Sequence, residues 1–563
     1  MSMALNHTIV TEETQSPYES AIFHLNTLQS NAALLQRLRE KRDLFQNANV
    51  PDTVTKLRNS GIKLSALDRL NVIHVSGTKG KGSTCAFVES ILRKTGFRTG
   101  LYTSPHLVHA RERIRINGAP ISEALFAKHF FILYNNLKKH ESENGMPAYF
   151  KFLTLLSFHI FLEECVDVAI IEVGIGGEYD STNIVMHPVV CGITTIDADH
   201  ISLLGSTLPE IAWHKAGIMK NNAPVIVSPS SNDVLSVMNS RALERGAQLS
   251  IAPSYHSYSF VKANVSPGIA GEHQKCNISL ALQLARTWLK RMGYEPFIFP
   301  DATENIWQVG EAYNVPMSMI EAIESCHWPG RCQIVVTQRV RYCLDGAHTP
   351  KSIEMCSNWY GDVLENDSTR KRVLMFQCTA DRNPSTLLPY LTINKLRHPI
   401  LSMGYPGTPS KVKHSFDYAV FCPTSLKVSS DMKSDLINLN QCEADQGNRC
   451  NQCAQTWKEI GSGKPFVFDC ITTTIQWIEQ QSHLENLDVL VTGSLHLVGV
   501  TMFMIVLRFQ ELPNDVEYNF DANEQRDPFL FSLEDNDSIC SDSIKVLQDD
   551  GARDDELLVD CPC

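Results

Sequence analysis

No stretch of this chain of 563 residues stays apolar for the ~20 residues a membrane-spanning helix requires, and the most lipid-like run, residues 498–507, is about half that long. An integral membrane segment is therefore not expected. Lysine and arginine are missing ahead of Arg37, while Glu12, Glu13 and Glu19 precede it, the reverse of an arginine-rich organelle leader; a secretory apolar core is missing too. The start reads as cytoplasmic, and a mitochondrial isoform from another transcript is compatible with it. The seventeen cysteines are odd in number and follow no repeating framework, and Cys165, Cys191 and Cys343 lie in apolar strand-like runs, which is reduced, intracellular usage. Of Cys442, Cys450 and Cys453 only the last two have CxxC spacing, so they read as scattered loop thiols rather than a zinc site. No solenoid repeat and no long low-complexity tract is present. Net charge is scarce outside the end of the chain: of the overall −12, residues 511–563 carry −13 (16 acidic, 3 basic), so the remaining 510 residues sum to about +1. A near-neutral body gives no reason to expect nucleic acid as a partner, and the acidic tail reads as disordered.

What is present is ordinary globular composition, 43% hydrophobic and 20% charged, with room for two large domains. After a flexible start (1–17), residues 18–45 place Ala21, Ile22, Leu25, Leu28, Ala32, Leu35 and Leu38 at helical spacing. From Leu70 short apolar runs alternate with helical stretches: strands are expected at 72–75, 99–102, 167–173, 189–195 and 225–228, helices at 84–94, 150–164 and 208–219. The alternation restarts after residue 330, with strands at 342–345, 373–377, 418–422 and 489–492. That rhythm predicts an α/β fold in two domains, a parallel sheet wrapped by helices and a second α/β domain after it, hinged near Trp328, Pro329 and Gly330. Residues 393–415 and 430–462 read as surface loops.

The sharpest local signal is Val75-Ser-Gly77-Thr78-Lys79-Gly80-Lys81-Gly82-Ser83-Thr84, directly after a strand and opening a helix. Glycines let backbone N–H groups turn toward a polyphosphate, the helix N-terminus adds partial positive charge, Lys81 can reach the outer phosphates and a serine hydroxyl can bind Mg²⁺. The loop departs from the common GxxxxGK[ST] spacing because Gly82 separates Lys81 from Ser83. Three further groups end strands: Thr103-Ser104-Pro-His106-Leu, Glu172 ahead of Gly174, Gly176 and Gly177, and His200 after Asp197 and Asp199. In a doubly wound sheet ligands gather at such ends, and a hydroxyl, a carboxylate and an imidazole can complete a divalent cation site. Lys215, taken alone, reads as a snorkelling surface lysine, and Asp345 with His348 as a turn before a capped helix.

In order along the chain, Gly77-Thr-Lys-Gly-Lys-Gly-Ser83, Thr103-Ser-Pro-His-Leu107, Glu172-Val-Gly-Ile-Gly-Gly177, Asp199-His200, Lys215-Ala-Gly-Ile218, Trp328-Pro-Gly-Arg331, Asp345-Gly-Ala-His-Thr349 and Thr492-Gly-Ser-Leu-His-Leu-Val-Gly499 together resemble the folylpolyglutamate synthase family of the Mur ligase superfamily, in its eukaryotic form. The resemblance implies an N-terminal P-loop ATPase domain with a parallel-sheet core over 18–325 and a C-terminal Rossmann-like domain over 326–510, closing over a cleft in which ATP phosphorylates the γ-carboxylate of a reduced folate (a tetrahydrofolate) and the amine of L-glutamate attacks the acyl phosphate. It implies ATP contacts from Gly77, Thr78, Lys79, Gly80, Lys81, Gly82, Ser83, Asn277, Arg331 and Asp345, and Mg²⁺ ligands in Ser83, Ser104, Glu172 and His200. It further implies a carbamylated Lys215 at a second metal, His348 and Ser494 near the incoming glutamate, catalytic roles for Lys81, Lys215 and His348, and K⁺ as a monovalent cofactor. A monomer is expected. The alternatives are a dihydrofolate synthase, which uses the same machinery, and a catalytically weak nucleotide-binding protein whose acidic tail recruits partners. Three departures stand out: Thr379-Ala-Asp-Arg382-Asn383 in place of a TGDRD-like run, expected to perturb a loop without touching the chemistry; an insertion at 393–415; and residues 500–507, which suggest that the last helix is altered or replaced.

Overall fold

The computed structural model describes residues 16–29, 42–263, 265–294, 308–364, 369–379, 382–392, 415–426, 432–436, 443–461 and 463–510. All of these fall within one unit of the chain, residues 1–523. The expectations for Ala32, Leu35, Leu38, Cys442, the 393–414 insertion and the acidic tail lie outside the described residues.

The first sheet contains β1 (Ile73–Ser76), β2 (Thr99–Tyr102), β3 (Ile114–Ile116), β4 (Ala119–Pro120), β5 (Val168–Glu172), β6 (Val190–Ile193), β7 (Pro224–Val227), β8 (Gln248–Ile251) and β9 (Gln308–Val309), in the order β4-β3-β2-β5-β1-β6-β7-β8-β9. From β2 to β9 every neighbouring pair is parallel, and β3 and β4 add an antiparallel edge. The strands β1, β5 and β6 are buried at every position because helices cover both faces, as apolar runs without alternation require. Ile73, Val75, Val168 and Ile170 pack with Phe87 and Trp288 on one side, while Tyr102, Ala169 and Ile171 pack with Phe130, Phe152 and Phe161 on the other.

The second sheet contains β10 (Gln333–Val336), β11 (Val340–Leu344), β12 (Lys371–Phe376), β13 (Tyr418–Phe421), β14 (Lys464–Val467) and β15 (Leu487–Thr492), in the order β10-β11-β15-β12-β13-β14. Only the β10–β11 pair is antiparallel. The two-sheet α/β architecture expected from the alternation is therefore present, with the Trp328–Gly330 segment lying between the helix Met317–Glu324 and β10.

Within the amphipathic stretch at 18–45 the described residues are helical in Pro17–Thr27 and at the start of Arg42–Asn59; the first helix opens on a capping box between Ser16 and Glu19 and has Leu28 as its C-cap. The polar stretch 430–462 is not all loop, because Glu443–Ile460 is a helix whose Cys450, Cys453 and Trp457 are buried against Phe416 and Phe421. Its polar composition reflects the outer face only. The region after Gly499 belongs to a packed last helix: Leu495–Gln510 is helical, and Leu497, Val498, Val500, Met502 and Ile505 are buried.

Candidate active site

The phosphate loop is shaped by what presses on it. Gly77 has φ 140° and Gly80, the N-cap of the helix Lys81–Lys94, has φ 87°. A Cβ at Gly77 would stand 1.8 Å from Thr194 Oγ1, and one at Gly80 2.1 Å from Asn277 Oδ1. Only glycine meets both conditions, so the loop is gripped between the exit of β6 and the helix Gln274–Arg291. The Thr78 and Lys79 N–H groups donate to Thr195 O (3.0 and 3.2 Å), which fixes the turn. Asn277 is itself held by donating to Gln274 Oε1 at 2.8 Å. Ser83 lies buried in the first helical turn beside the positive end of the helix dipole.

Two lysines converge on one carbonyl. Lys81 Nζ donates to Gly77 O at 3.2 Å and Lys215 Nζ to the same oxygen at 2.7 Å. Lys215 is only 3% exposed, and Ser76 Oγ donates to its carbonyl at 2.9 Å, so the reading of a snorkelling surface lysine is wrong. Its helix, Leu208–Ala216, packs its apolar neighbours inward and delivers the ammonium to the back of the loop. Burial, then the charge of Lys81, drives the Lys215 pKa well below the usual lysine range.

Glu172 ends β5 beside this loop and is 4% exposed. Its Oε2 accepts the Ser104 N–H at 3.0 Å; burial raises its pKa, against the opposing pull of Lys81, Ser104 and Arg331. Gly82, Ser104, His106, Glu172, Trp328 and Arg331 line one crevice. Trp328 roofs it, with its indole Nε1 3.3 Å from where a Gly82 Cβ would be and the Arg115 guanidinium 4.8 Å above its ring. His200 sits at φ 50° ahead of a short helix, and burial lowers its pKa to about 4, so it is a neutral imidazole. Among the described residues no group of three His, Cys, Asp or Glu side chains converges to cage a metal. One carboxylate with hydroxyls beside a phosphate loop suits a small hard cation that takes its other ligands from phosphate oxygens and water, which is how Mg²⁺ is usually held.

The second sheet faces these groups with its own carboxyl ends. Beyond β11, Asp345 Oδ1 accepts the Ala347 N–H and Oδ2 the Cys332 N–H, both at 2.9 Å, tying its turn to the segment that carries Arg331. His348 Nδ1 lies 3.0 Å from Gly346 O; a carbonyl only accepts, so Nδ1 carries the proton and Nε2 is left as an acceptor, 3.0 Å from Lys79 Nζ. Burial lowers the His348 pKa and keeps the ring neutral. Lys79, expected at the phosphates, donates to Asp199 Oδ2 at 2.8 Å, and Arg382 Nη2 donates to Asp199 Oδ1 at 2.6 Å. Burial alone would raise the Asp199 pKa, but the Lys79 ammonium beside it holds it far below the ordinary carboxylate range. Beyond β15, Ser494 is buried ahead of the last helix, behind Gly493.

Several residues that hold the site escaped the sequence reading. Arg382, noted in the sequence only as part of the Thr379–Asn383 run, bridges the sheets to Asp199, next to His200. Glu112 accepts the N–H groups of Leu107, Val108 and His109 (2.9, 3.0 and 2.7 Å), and a capping-box spacing from His109 could have revealed it. Asp180 accepts from Thr182 and Ile175 and so shapes the glycine run after Glu172; Asp-Ser-Thr after glycines is an N-cap signature that was there to be read.

No family model matches the chain. A Caenorhabditis elegans relative bearing the folylpolyglutamate synthase name is 48% identical over 492 residues, covering 86% of this chain and 91% of that protein. The chain belongs to the folylpolyglutamate synthase family. The human mitochondrial folylpolyglutamate synthase is 37% identical, covering 87% of this chain and 92% of its own length. The Escherichia coli FolC structure in complex with DHPP and ADP shares the fold, with a TM-score of 0.60 at 22% identity over 89% of this chain and 100% of that one. No helix among the described residues is long and apolar enough to cross a membrane.

Proposed function

We infer that the protein is an ATP-dependent ligase that extends tetrahydrofolates by adding L-glutamate to the terminal γ-carboxylate, acting as a cytoplasmic monomer with folding units near 18–325 and 326–510. The observation that carries this is the meeting of the phosphate loop, with Lys81 at its mouth, and the buried carboxylate of Glu172 in one crevice. A carboxylate is a poor electrophile toward an amine. Transfer of the ATP γ-phosphoryl group to it forms an acyl phosphate, from which the glutamate nitrogen displaces inorganic phosphate as the amide forms and the amine loses a proton. Gly77, Gly80 and the helix N-terminus cradle the polyphosphate, while Lys81 and Arg331 offset its charge. Glu172, Ser104, Ser83 and His200 would hold Mg²⁺, which when bound neutralises phosphate charge; K⁺ is the monovalent cation of this reading. The neutral Nε2 of His348 is the atom that takes a proton or hydrogen bond from the incoming amine, and Ser494 is the further residue assigned to the incoming glutamate. The depressed pKa of Lys215 favours the free amine, the form that reacts with carbon dioxide to give a carbamate.

The test is product mass after incubation with Mg-ATP, tetrahydrofolate and glutamate, for the full chain and for Glu172→Ala. Successive glutamyl additions, lost in the variant, are expected. Product from dihydropteroate alone would instead identify a dihydrofolate synthase, and nucleotide binding with no product would favour the partner-recruiting protein.

A further inference from the structure

Residues 432–436 lie in the chain between β13 and the helix Glu443–Ile460 of the second sheet, yet their polar partners belong to the first half. Asp435, whose side chain is 11% exposed, accepts the Tyr18 hydroxyl (2.8 Å) and the Ala110 N–H (2.7 Å) on Oδ1, with His109 Nδ1 3.4 Å from Oδ2. Its own carbonyl lies 3.2 Å from His106 Nε2, and the Asn26 amide donates to the carbonyls of Met432 (2.8 Å) and Ser434 (3.0 Å). Burial would raise the Asp435 pKa, but the His109 and Ala110 contacts reverse the shift and keep it an anion. Hydrogen bonds to a buried anion are the stronger kind, so this is a fastening rather than a chance touch.

What is fastened is the turn 103–110, which carries Ser104 and His106 into the crevice. Glu112 holds that turn from inside the first half. From the second half the turn is met twice: by Asp435, and by Gly499 of the last helix, where a Cβ would stand 2.1 Å from Leu107 O. The turn's position therefore depends on both halves of the chain.

We propose that Asp435 is a positioning residue for the ligase reaction: from the second half of the chain it clamps the His106–Ala110 part of the turn and thereby sets His106 for the carboxylate-bearing substrate, while Ser104 is held separately by Glu172. This rests on the ligase reading above. Asp435→Ala, Asp435→Asn and Tyr18→Phe, made in the full chain, are compared in steady-state kinetics against tetrahydrofolate and Mg-ATP separately, with amide hydrogen exchange followed across 103–110. Asp435→Ala is expected to raise the folate KM roughly tenfold, the order lost with charge-assisted hydrogen bonds, with the Mg-ATP KM unchanged and exchange at Ala110 faster. Asp435→Asn keeps an acceptor for Tyr18 and Ala110 and should recover most of the loss; Tyr18→Phe should move the same KM the same way by less. An unchanged folate KM, a rise in both KM values together, or a lower folate KM would each overturn the proposal, the last by showing an occluding strap. Absence of glutamyl product from the unaltered protein would instead sink the ligase reading, and unaltered exchange at Ala110 in Asp435→Ala would sink the clamp alone.

Discussion

The halves of the site are built by different physics. On the phosphate-loop side, chemistry-bearing groups leave the ends of adjacent parallel strands β2, β5, β1 and β6, and their positions follow from buried backbone and from glycines that nothing larger can replace. On the second-sheet side, Arg382 reaches the same place through an ion pair to Asp199, and the neutral His348 through a hydrogen bond accepted from Lys79, both crossing from one sheet to the other. The first half of the site is completed within the first sheet and its helices; the second exists only once the sheets have met. A site divided this way can admit substrates before its reactive geometry is complete and exclude water after, as an acyl phosphate requires.

The sharpest break of that comparison is Gly77→Ala. Its Cβ would stand 1.8 Å from Thr194 Oγ1 at a φ of 140°, so the loop must move. The expected outcome is a loss of roughly 1,000-fold in kcat/KM for Mg-ATP, at the upper end of what removing preorganised donors costs, together with about 3 kcal/mol of stability. Steady-state kinetics and denaturant titration check both. Asp199→Asn comes next and attacks the other half: the amide cannot offset Lys79 and Arg382, and a misplaced His348 should cost kcat ~100-fold while nucleotide affinity changes little. Equal losses in ATP affinity and turnover would show that the two halves are not separable. Gly499→Ala is milder. Its Cβ meets Leu107 O, so the helix must shift by overpacking, at about 1–3 kcal/mol, and folate affinity should fall more than ATP affinity.

Legibility in the sequence followed the same division. Strand periodicity and the Gly-Lys-Gly run gave the sheet, the loop and the strand-end residues Ser104, Glu172 and His200, because each depends on neighbours within a few residues. The helix Glu443–Ile460 looked like loop because a helix with one thin buried face shows little apolar content. The last helix looked altered because its apolar run was judged against the family pattern, not against the packing that buries Leu497, Val498 and Ile505. Lys215 looked exposed, since lysine usually is, and only the fold reveals the carbonyl of Gly77 waiting for it. Asp435 had no local signal at all; its partners Tyr18 and Ala110 stand hundreds of positions away.

The smallest effect expected concerns the floor under the phosphate loop, and it is read in stability alone. His74 on β1 is fully buried; its Nε2 is 2.8 Å from Thr182 Oγ1, whose hydroxyl donates to Asp180 at 2.7 Å, so Nε2 must carry the hydrogen. Burial, reinforced by Lys220, lowers the His74 pKa from 6.5 to about 3. In that interval the unfolded chain binds a proton that the folded chain refuses, so the contribution is fully present above pH 6.5 and is lost as pH falls toward 3. His74→Gln keeps a donor for Thr182 but cannot be protonated. Its denaturant-unfolding stability should fall less steeply than that of the unaltered protein below pH 6.5, by up to about 1.4 kcal/mol per pH unit. Parallel curves would mean that His74 is protonated in the folded state, and that the side of the site attributed here to fixed backbone instead yields to charge as the other side does.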